Sequence, residues 1–354
     1  MKKFFKFISI VISTLLTISL LFLVIVYSTE YKPDAIEKNP ISYAVNSEKE
    51  LKLNESISLL TFNIGYCGLD ANEDFFMDGG KNIMKDSKEG VLENLKGIKE
   101  ILDKENSDIT FIQEVDRNSK KTYFVDQVPY LVNDDETSAY ATFYRSLYVP
   151  YPFKQTLGKV ESGMLVKSKF VFEDSYRIDL PSAYSFPVRA FQCKRALMRQ
   201  ELDINGTDKK LVLYNLHLEA YDKNNTREKQ LEILTNMMKQ DFKEGNYVIA
   251  GGDFNQRFPN VDNTKYPILN DEYFQAPIID ENLISNDFKF VNDISTPSAR
   301  LLNKPYDGNR EKTQLYLIDG YIVSSNVKVE SVKTLDYDFK YSDHNPVKMV
   351  FSLK

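Results

Sequence analysis

The chain holds two histidines, His217 in YNLHLEA and His344 in YSDHNPV, and each stands among polar residues able to do chemistry. Imidazole is the side chain that most readily changes charge near neutral pH, although a lone histidine is more often structural than catalytic. A third stretch, IAGGDFNQRF at 249–258, passes from apolar to polar within a few positions. Residues 247–250 read as a buried strand, Gly251 and Gly252 free the backbone, and Asp253 follows at the strand's end. If the chain stays extended there, Asp253 and Asn255 point the same way and offer a charged and a neutral oxygen together. A glycine turn closed by an Asx cap would leave the same letters. In the stretch Ser342-Asp343-His344, successive side chains of an extended backbone diverge, so Asp343 and His344 do not face one partner as an acid/base pair. Asp343 is better suited to ligate a metal, with another carboxylate orienting His344. Asp319, costly within the apolar run LYLIDGYIV, is the candidate for that orienting role.

The elements that must position these groups alternate in type. Apolar runs of strand length occur at 57–62, 109–112, 163–166, 211–216, 247–250, 317–323 and 347–351. Helical spacing joins Val91, Leu95, Ile98 and Leu102, and again Leu231, Leu234 and Met238. The class is therefore α/β or α+β. Five runs deliver a polar group: Asn63, Glu114, His217, Asp253 with Asn255, and Asp319. A single such residue is usually a turn former, but several at strand ends suggest a site carried by a rigid core.

Ahead of these elements, Lys2, Lys3 and Lys6 precede Phe7–Thr29, FISIVISTLLTISLLFLVIVYST, which carries no charge. At about 1.5 Å per residue this segment spans a hydrocarbon core of roughly 30 Å, and it exceeds the apolar part of a signal peptide. It reads as a transmembrane anchor over 7–29, with residues 1–6 cytoplasmic and the rest outside the cell membrane, since basic residues favour the inner side. Small Ser28 and Thr29 leave cleavage open, although no Ala-x-Ala precedes that point. Residues 30–56, polar and carrying Pro33 and Pro40, read as a linker, with the folded domain over 57–354. The net charge of −6 shows no broad nucleic-acid footprint, so no nucleic-acid partner is favoured, although a local basic groove is compatible with it. Cys67 and Cys193 are too few for a disulfide scaffold, and a single bridge between them stays open.

Taken in order, Thr61-Phe62-Asn63, Gln113-Glu114, Asn215-Leu216-His217, Gly252-Asp253-Phe254-Asn255, Asp319-Gly320-Tyr321 and Ser342-Asp343-His344 resemble the motifs of the endonuclease/exonuclease/phosphatase, or DNase I-like, superfamily. The resemblance covers about residues 57–354 and implies a four-layer α/β sandwich, two packed mixed sheets flanked by helices. It also implies hydrolysis of a phosphoester with Mg²⁺, Mn²⁺ being possible, by a chain acting as a monomer. By that likeness Glu114 is the principal metal ligand, with Asn63 and Asp343 beside it. Hard oxygen ligands suit those ions, and the absence of HExxH or paired CxxC argues against a dedicated zinc site. Asp253 and Asn255 would orient the attacking water and contact the phosphate, and His217 would bond a phosphoryl oxygen. His344, held by Asp319, would act as acid/base or charge stabiliser. Glu161 in KVESGMLVKSK stands where some members place a carboxylate partner for the first histidine; an exposed strand glutamate is the alternative. Arg195 and Arg300 fall where phosphate-contacting arginines are expected; each is otherwise a surface arginine.

Residues 64–90 form an unusually long strand-to-helix connection, expected to line the substrate entrance, and FFMDGGK within it resembles a bacterial membrane-anchored branch of the superfamily. A plain surface excursion is the alternative. The functions to be separated are an extracytoplasmic phosphoesterase acting on a lipid headgroup or small phosphoester, a nuclease of the same fold, and a catalytically silent binding module. The acidic balance disfavours the nuclease, and completeness of the metal and histidine positions disfavours the silent module.

Overall fold

The computed structural model describes residues 1–43, 49–222, 224–262 and 264–354. Two seven-stranded mixed sheets pack face to face. The first runs, in spatial order, β1 (Ile36–Lys38), β7 (Asp174–Asp179), β8 (Ala196–Asp203), β9 (Lys210–His217), β10 (Tyr247–Asp253), β14 (Asp319–Ser324) and β11 (Phe288–Val291). The second runs β15 (Val327–Thr334), β16 (Val347–Leu353), β3 (Ile57–Asn63), β4 (Ile109–Asp116), β6 (Gly158–Ser168), β5 (Thr137–Val149) and β2 (Ile41–Ser42). A small separate ladder pairs β12 (Ala299–Arg300) with β13 (Leu315–Tyr316). Within the two large sheets β9/β10 and β3/β4 are parallel, and the remaining neighbours are antiparallel.

Both faces of the central strands are buried, which is why their sequences read as continuous apolar runs rather than as alternations. Along β9, Leu211 and Leu213 face the opposing sheet with Leu59, Phe111, Ile249 and Met349. Val212 and Tyr214 face outward against Leu231, Leu234 and Met238 of helix α4 (Thr226–Lys243). On the other outer face, Leu60, Phe62 and Ile112 meet Val91, Leu95 and Ile98 of α2 (Lys88–Glu105). The layers are therefore helix, sheet, sheet, helix. The Ser87 hydroxyl starts α2 by accepting the Gly90 N–H at 3.0 Å, and Asn106 ends it in the left-handed region at φ 44°. A single turn, α3 (Val128–Leu131), follows β4.

The N-terminal helix α1 (Lys2–Thr29) has a mean hydropathy of 2.7 over its best window and is long and apolar enough to cross a membrane. The expected linker after it differs from a free tether: β1 and β2 are edge strands of the two sheets, and Leu51 packs into the central core. Residues 44–48 of that segment lie outside the described residues. Main-chain pairing with an open sheet edge needs no apolar periodicity, so hydropathy alone could not reveal it. Both cysteines are free thiols.

Candidate active site

The rows facing the opposing sheet turn polar at one end of the sandwich. On β9 the row runs Leu211, Leu213, Asn215, His217; on β10 it runs Tyr247, Ile249, Gly251, Asp253; on β14 it runs Val323, Tyr321, Asp319. Strand register sets His217 and Asp319 directly beside Asp253, on either side of it. Opposite them, β3 ends its row in Thr61 and Asn63, and β4 in Gln113. Glu114 would point outward by alternation, but the ladder slips between Ile112 and Val115, and Glu114 adopts φ 55°. Asn63 Nδ2 then donates to Glu114 Oε1 at 3.1 Å.

Some motif residues join the sheets rather than face a substrate. Gln113 Nε2 donates to Asn215 Oδ1 at 2.7 Å, and Tyr321 Oη donates to the carbonyls of Leu59 and Val347 at 3.1 and 2.6 Å. Gly252, at φ 146°, would place a Cβ 2.0 Å from the Leu216 carbonyl oxygen, so only glycine lets β10 close on β9 just before Asp253.

At the end of these strands lies a cleft of about 230 Å³ lined by Glu114, His217, Asp253, Asn255, Asp343, His344, Arg195 and Arg300. Asp253 is its hub. Its Oδ2 accepts from Asn63 Nδ2 at 3.1 Å and lies 3.5 Å from His217 Nε2 and 3.8 Å from His344 Nε2. Its Oδ1 accepts the Asn255 N–H at 2.8 Å. The Asx cap of the DFN stretch is thus formed on one oxygen, while the other faces the histidines. The chain does not stay extended, however: Asn255 sits at φ 50° and gives Nδ2 to the Leu218 carbonyl at 3.0 Å. Asp319 is the first residue of its strand rather than an interruption within it, because Ser298 Oγ takes the N–H groups of Ile318 and Asp319.

The two imidazoles differ. His344 Nδ1 pairs with Asp319 Oδ2 at 2.9 Å, as expected from sequence. Burial opposes its charge, but Asp319 and then Asp343 outweigh it and hold the imidazole well above its ordinary pKa. His217 Nδ1 is buried without a hydrogen-bond partner among the described residues. Burial, then Arg195 and His344, push that imidazole well below its ordinary value, so it stays neutral. The expected carboxylate partner Glu161 is elsewhere. It lies on β6 between Val160 and Ser162, which both line the cleft, and alternation turns it to the other face. The edge of the Phe143 ring meets His217 instead, with ring centroids 5.7 Å apart.

Burial, then Asp319, raise the Asp253 carboxyl to about 7. Burial raises Asp343 to about 6, with Glu114 adding to the effect. Glu114 and Asp343 are oxygen donors suited to a hard divalent cation. Asn63 Oδ1 accepts the Gly65 N–H at 3.0 Å and Nδ2 faces Glu114, so its amide positions that carboxylate while the oxygen keeps a second lone pair. Asp253, Asp319 and His344 also bring possible ligand atoms within 4.8 Å of one another. Their imidazole–carboxylate bond engages His344 Nδ1 and one Asp319 oxygen, whereas Glu114 and Asp343 offer carboxylate oxygens alone, the ligand type a hard cation prefers.

The arginines diverge as well. Arg195 Nε pairs with Glu219 at 3.9 Å and has no hydrogen bond among the described residues, and the side chain lines the cleft. Arg300 commits one nitrogen to the carbonyls of Asp70 and Glu73, at 2.7 and 3.1 Å, and ties down the 64–90 connection. Lys85 reinforces that connection from beneath by pairing with Asp70 and with Glu73, the latter at 2.8 Å. The connection is a wall of the cleft rather than a surface excursion, and supplies Tyr66, Leu69, Phe75, Met77 and Asp78. Asp78, which accepts from Tyr221 Oη at 2.6 Å, was not singled out from sequence; its place in FFMDGGK was the available signal.

No family model matches the chain, and no curated protein does. Solved structures do. An endonuclease/exonuclease/phosphatase from Beutenbergia cavernae DSM 12333 aligns with TM-score 0.56 at 15% identity, over 85% of this chain and 72% of that one. One from Bacteroides vulgatus gives 0.53 at 16%, over 85% and 100%. ANGEL2, a 2′,3′-cyclic phosphatase in complex with adenosine-2′,3′-vanadate, gives 0.55 at 13%, over 90% and 99%. The two seven-stranded sheets, their flanking helices and these alignments together show that the chain has the endonuclease/exonuclease/phosphatase fold.

Proposed function

We propose that this chain is a metal-dependent phosphoric ester hydrolase, anchored in the cell membrane by α1 and acting outside the cytoplasm on a lipid headgroup or small phosphoester. The observation that carries the reading is Asp253 Oδ2, set between His217 Nε2 and His344 Nε2 in a cleft that also holds Glu114 and Asp343. Glu114 and Asp343 would hold Mg²⁺ or Mn²⁺, with Asn63 fixing Glu114. Such an ion, when bound, neutralises phosphoryl oxygens and eases attack by water.

The residues themselves divide the remaining work. Asp253 orients water and takes its proton, lying where both imidazoles converge. The His344 imidazolium, steadied by Asp319, faces the charge that gathers on the phosphoryl group. Neutral His217 donates from Nε2 to a phosphoryl oxygen, and Arg195, paired at 3.9 Å with Glu219, adds positive charge at the same wall. Asp343 Oδ2 and His344 Nε2 both reach the cleft, 3.9 Å apart and without a hydrogen bond, so the two side chains converge where an extended backbone would make them diverge.

The test is a phosphoester panel of phospholipids, inositol and sugar phosphates, DNA and RNA on the full chain, with and without EDTA. Hydrolysis that disappears on chelation and returns with Mg²⁺ or Mn²⁺ is expected. Hydrolysis undiminished by exhaustive chelation, or none on any phosphoester, would overturn the reading.

A further inference from the structure

The anchor helix lands on a wall of the cleft. Glu30, the first residue after α1, has its side chain only 1% exposed, held by Arg189 at 2.8 Å and Lys194 at 2.9 Å. One turn earlier, the Tyr27 ring meets Phe186 with centroids 6.0 Å apart. These contacts clamp the helix to residues 186–194, and Tyr184, Gln192, Cys193 and Arg195 of the same stretch line the cleft. A helix leaving a bilayer places its last aromatic and basic side chains at the headgroup level. Tyr27, with Lys32 stacked 3.3 Å over its ring, marks that level here. One wall of the cleft therefore stands at the bilayer surface if α1 is inserted.

The same wall is bonded to an apolar hairpin. Tyr144 Oη donates to the Phe191 carbonyl at 2.8 Å, and the Lys194 N–H donates to the Phe143 carbonyl at 2.6 Å, joining the stretch to β5. From there β5 and β6 project to the tip 150–157. Tyr148 and Tyr151 are about half exposed, Leu147 is 61% exposed and Phe153 is 87% exposed. Tyr151 touches Phe76, at 5.8 Å between ring centroids, so the hairpin reaches the 64–90 wall on which Met77 is also exposed. Residues 145–160 carry Arg145, Lys154 and Lys159 and no acidic residue, within a chain of net charge −6. Glu161 follows at the base, in register with Arg145, so the excess positive charge lies with Lys154 and Lys159, and an apolar tip flanked by lysines suits an anionic lipid surface.

We infer that the β5–β6 hairpin is a second membrane contact, so that α1 and the hairpin together turn the cleft mouth toward the leaflet from which α1 emerges. The substrate is then a phosphoester presented by that leaflet, a lipid headgroup rather than a free solute. The substrate class rests on the phosphoesterase reading; the orientation rests only on insertion of α1.

The chain lacks tryptophan, which makes an inserted one an unmixed reporter. The Phe153→Trp variant of the full chain, reconstituted in vesicles of phosphatidylcholine and phosphatidylglycerol brominated along the acyl chains, should show blue-shifted, strongly quenched emission. Val171→Trp, beyond the other end of β6 and roughly 30 Å or more away, should emit as in water. Removal of the tip aromatics by Tyr151→Ser with Phe153→Ser should lower hydrolysis of vesicle phospholipid by about 10-fold or more, sparing soluble p-nitrophenyl esters. Water-like emission at position 153, or equal quenching at both positions, would overturn the orientation. Quenching at 153 alone, in a protein that cleaves no phosphoester, would leave the orientation standing and remove the phosphoesterase reading. Faster cleavage of the soluble esters than of vesicle lipid would overturn the substrate class.

Discussion

His217 and His344 share one carboxylate neighbour, Asp253, yet their surroundings push their imidazoles in opposite directions, one down and one up in pKa. His344 has Asp319 on its far nitrogen and is held protonated; His217 has no hydrogen-bond partner for its far nitrogen among the described residues, lies buried against Phe143 with Arg195 nearby, and is held neutral. The identity of a residue sets its range of chemistry, while the partner on its outer side selects from that range. Arg195 and Arg300 repeat the lesson: both leave Nε without a hydrogen bond among the described residues, but Arg195 is held by an ion pair with Glu219 at 3.9 Å, while Arg300 gives its terminal nitrogens to backbone carbonyls.

The comparison breaks most visibly at the charged histidine. His344→Ala and Asp319→Ala should each lower turnover by about 10²–10⁴, and the double variant should be little worse than the worse single one. Turnover of the folded protein checks this, and multiplicative losses would dissolve the pair. His217→Gln keeps a neutral donor at a site that needs no charge, so its loss should stay on the order of 10-fold, well short of that for His344→Gln. Equal losses would mean that the two imidazoles do the same work.

Arg300→Ala removes the side-chain donor from the Asp70 and Glu73 carbonyls, of which Asp70 keeps the Glu73 N–H, and should lower stability by about 1–3 kcal/mol, read from a denaturation midpoint. Arg195→Ala should leave the midpoint nearly unchanged and raise KM.

Two glutamates sharpen the contrast further. Glu30, expected in a free linker, is clamped. Burial pushes its carboxyl up, but hydrogen bonds from Arg189 and Lys194 outweigh burial and hold it at about 2, against an ordinary value of 4.5. Its folded pKa is depressed, so its stabilising contribution is complete above 4.5 and fades as pH falls from 4.5 toward 2. The thermal midpoint of the full chain in detergent should drop across that window, and Glu30→Gln should flatten the drop. Glu161, expected at the site, faces away from it, and Glu161→Ala should change turnover by less than about two-fold, as for ordinary surface substitutions. A large loss there would show that His217 has a partner after all.

Much of the site was legible because central strands of a sandwich are apolar on both faces, so a polar residue at the end of such a run stands out. Asn63, His217 and Asp253 were readable for that reason. Strands β5, β7, β8 and β15 were not readable: their exposed or half-exposed positions interrupt the apolar signal, as in the pattern Ala196–Asp203. Glu114 was legible as a residue but not as a direction, because a bulge rather than alternation aims it.

The sequence by itself determined the apolar N-terminal helix, the order of the main central strands and flanking helices, and the residue types that could hold a cation and move a proton. Hydropathy and local stereochemistry act between near neighbours, so a linear pattern contains them. Tertiary structure alone decided that Asp319 reaches His344 while Glu161 misses His217, that Asn63 turns its amide nitrogen toward Glu114, and that Glu30 docks the helix beside the cleft. Each of these depends on the register between strands or on contacts across more than a hundred residues of chain, as between Glu30 and Lys194, where a shift of one position reverses which way a side chain points.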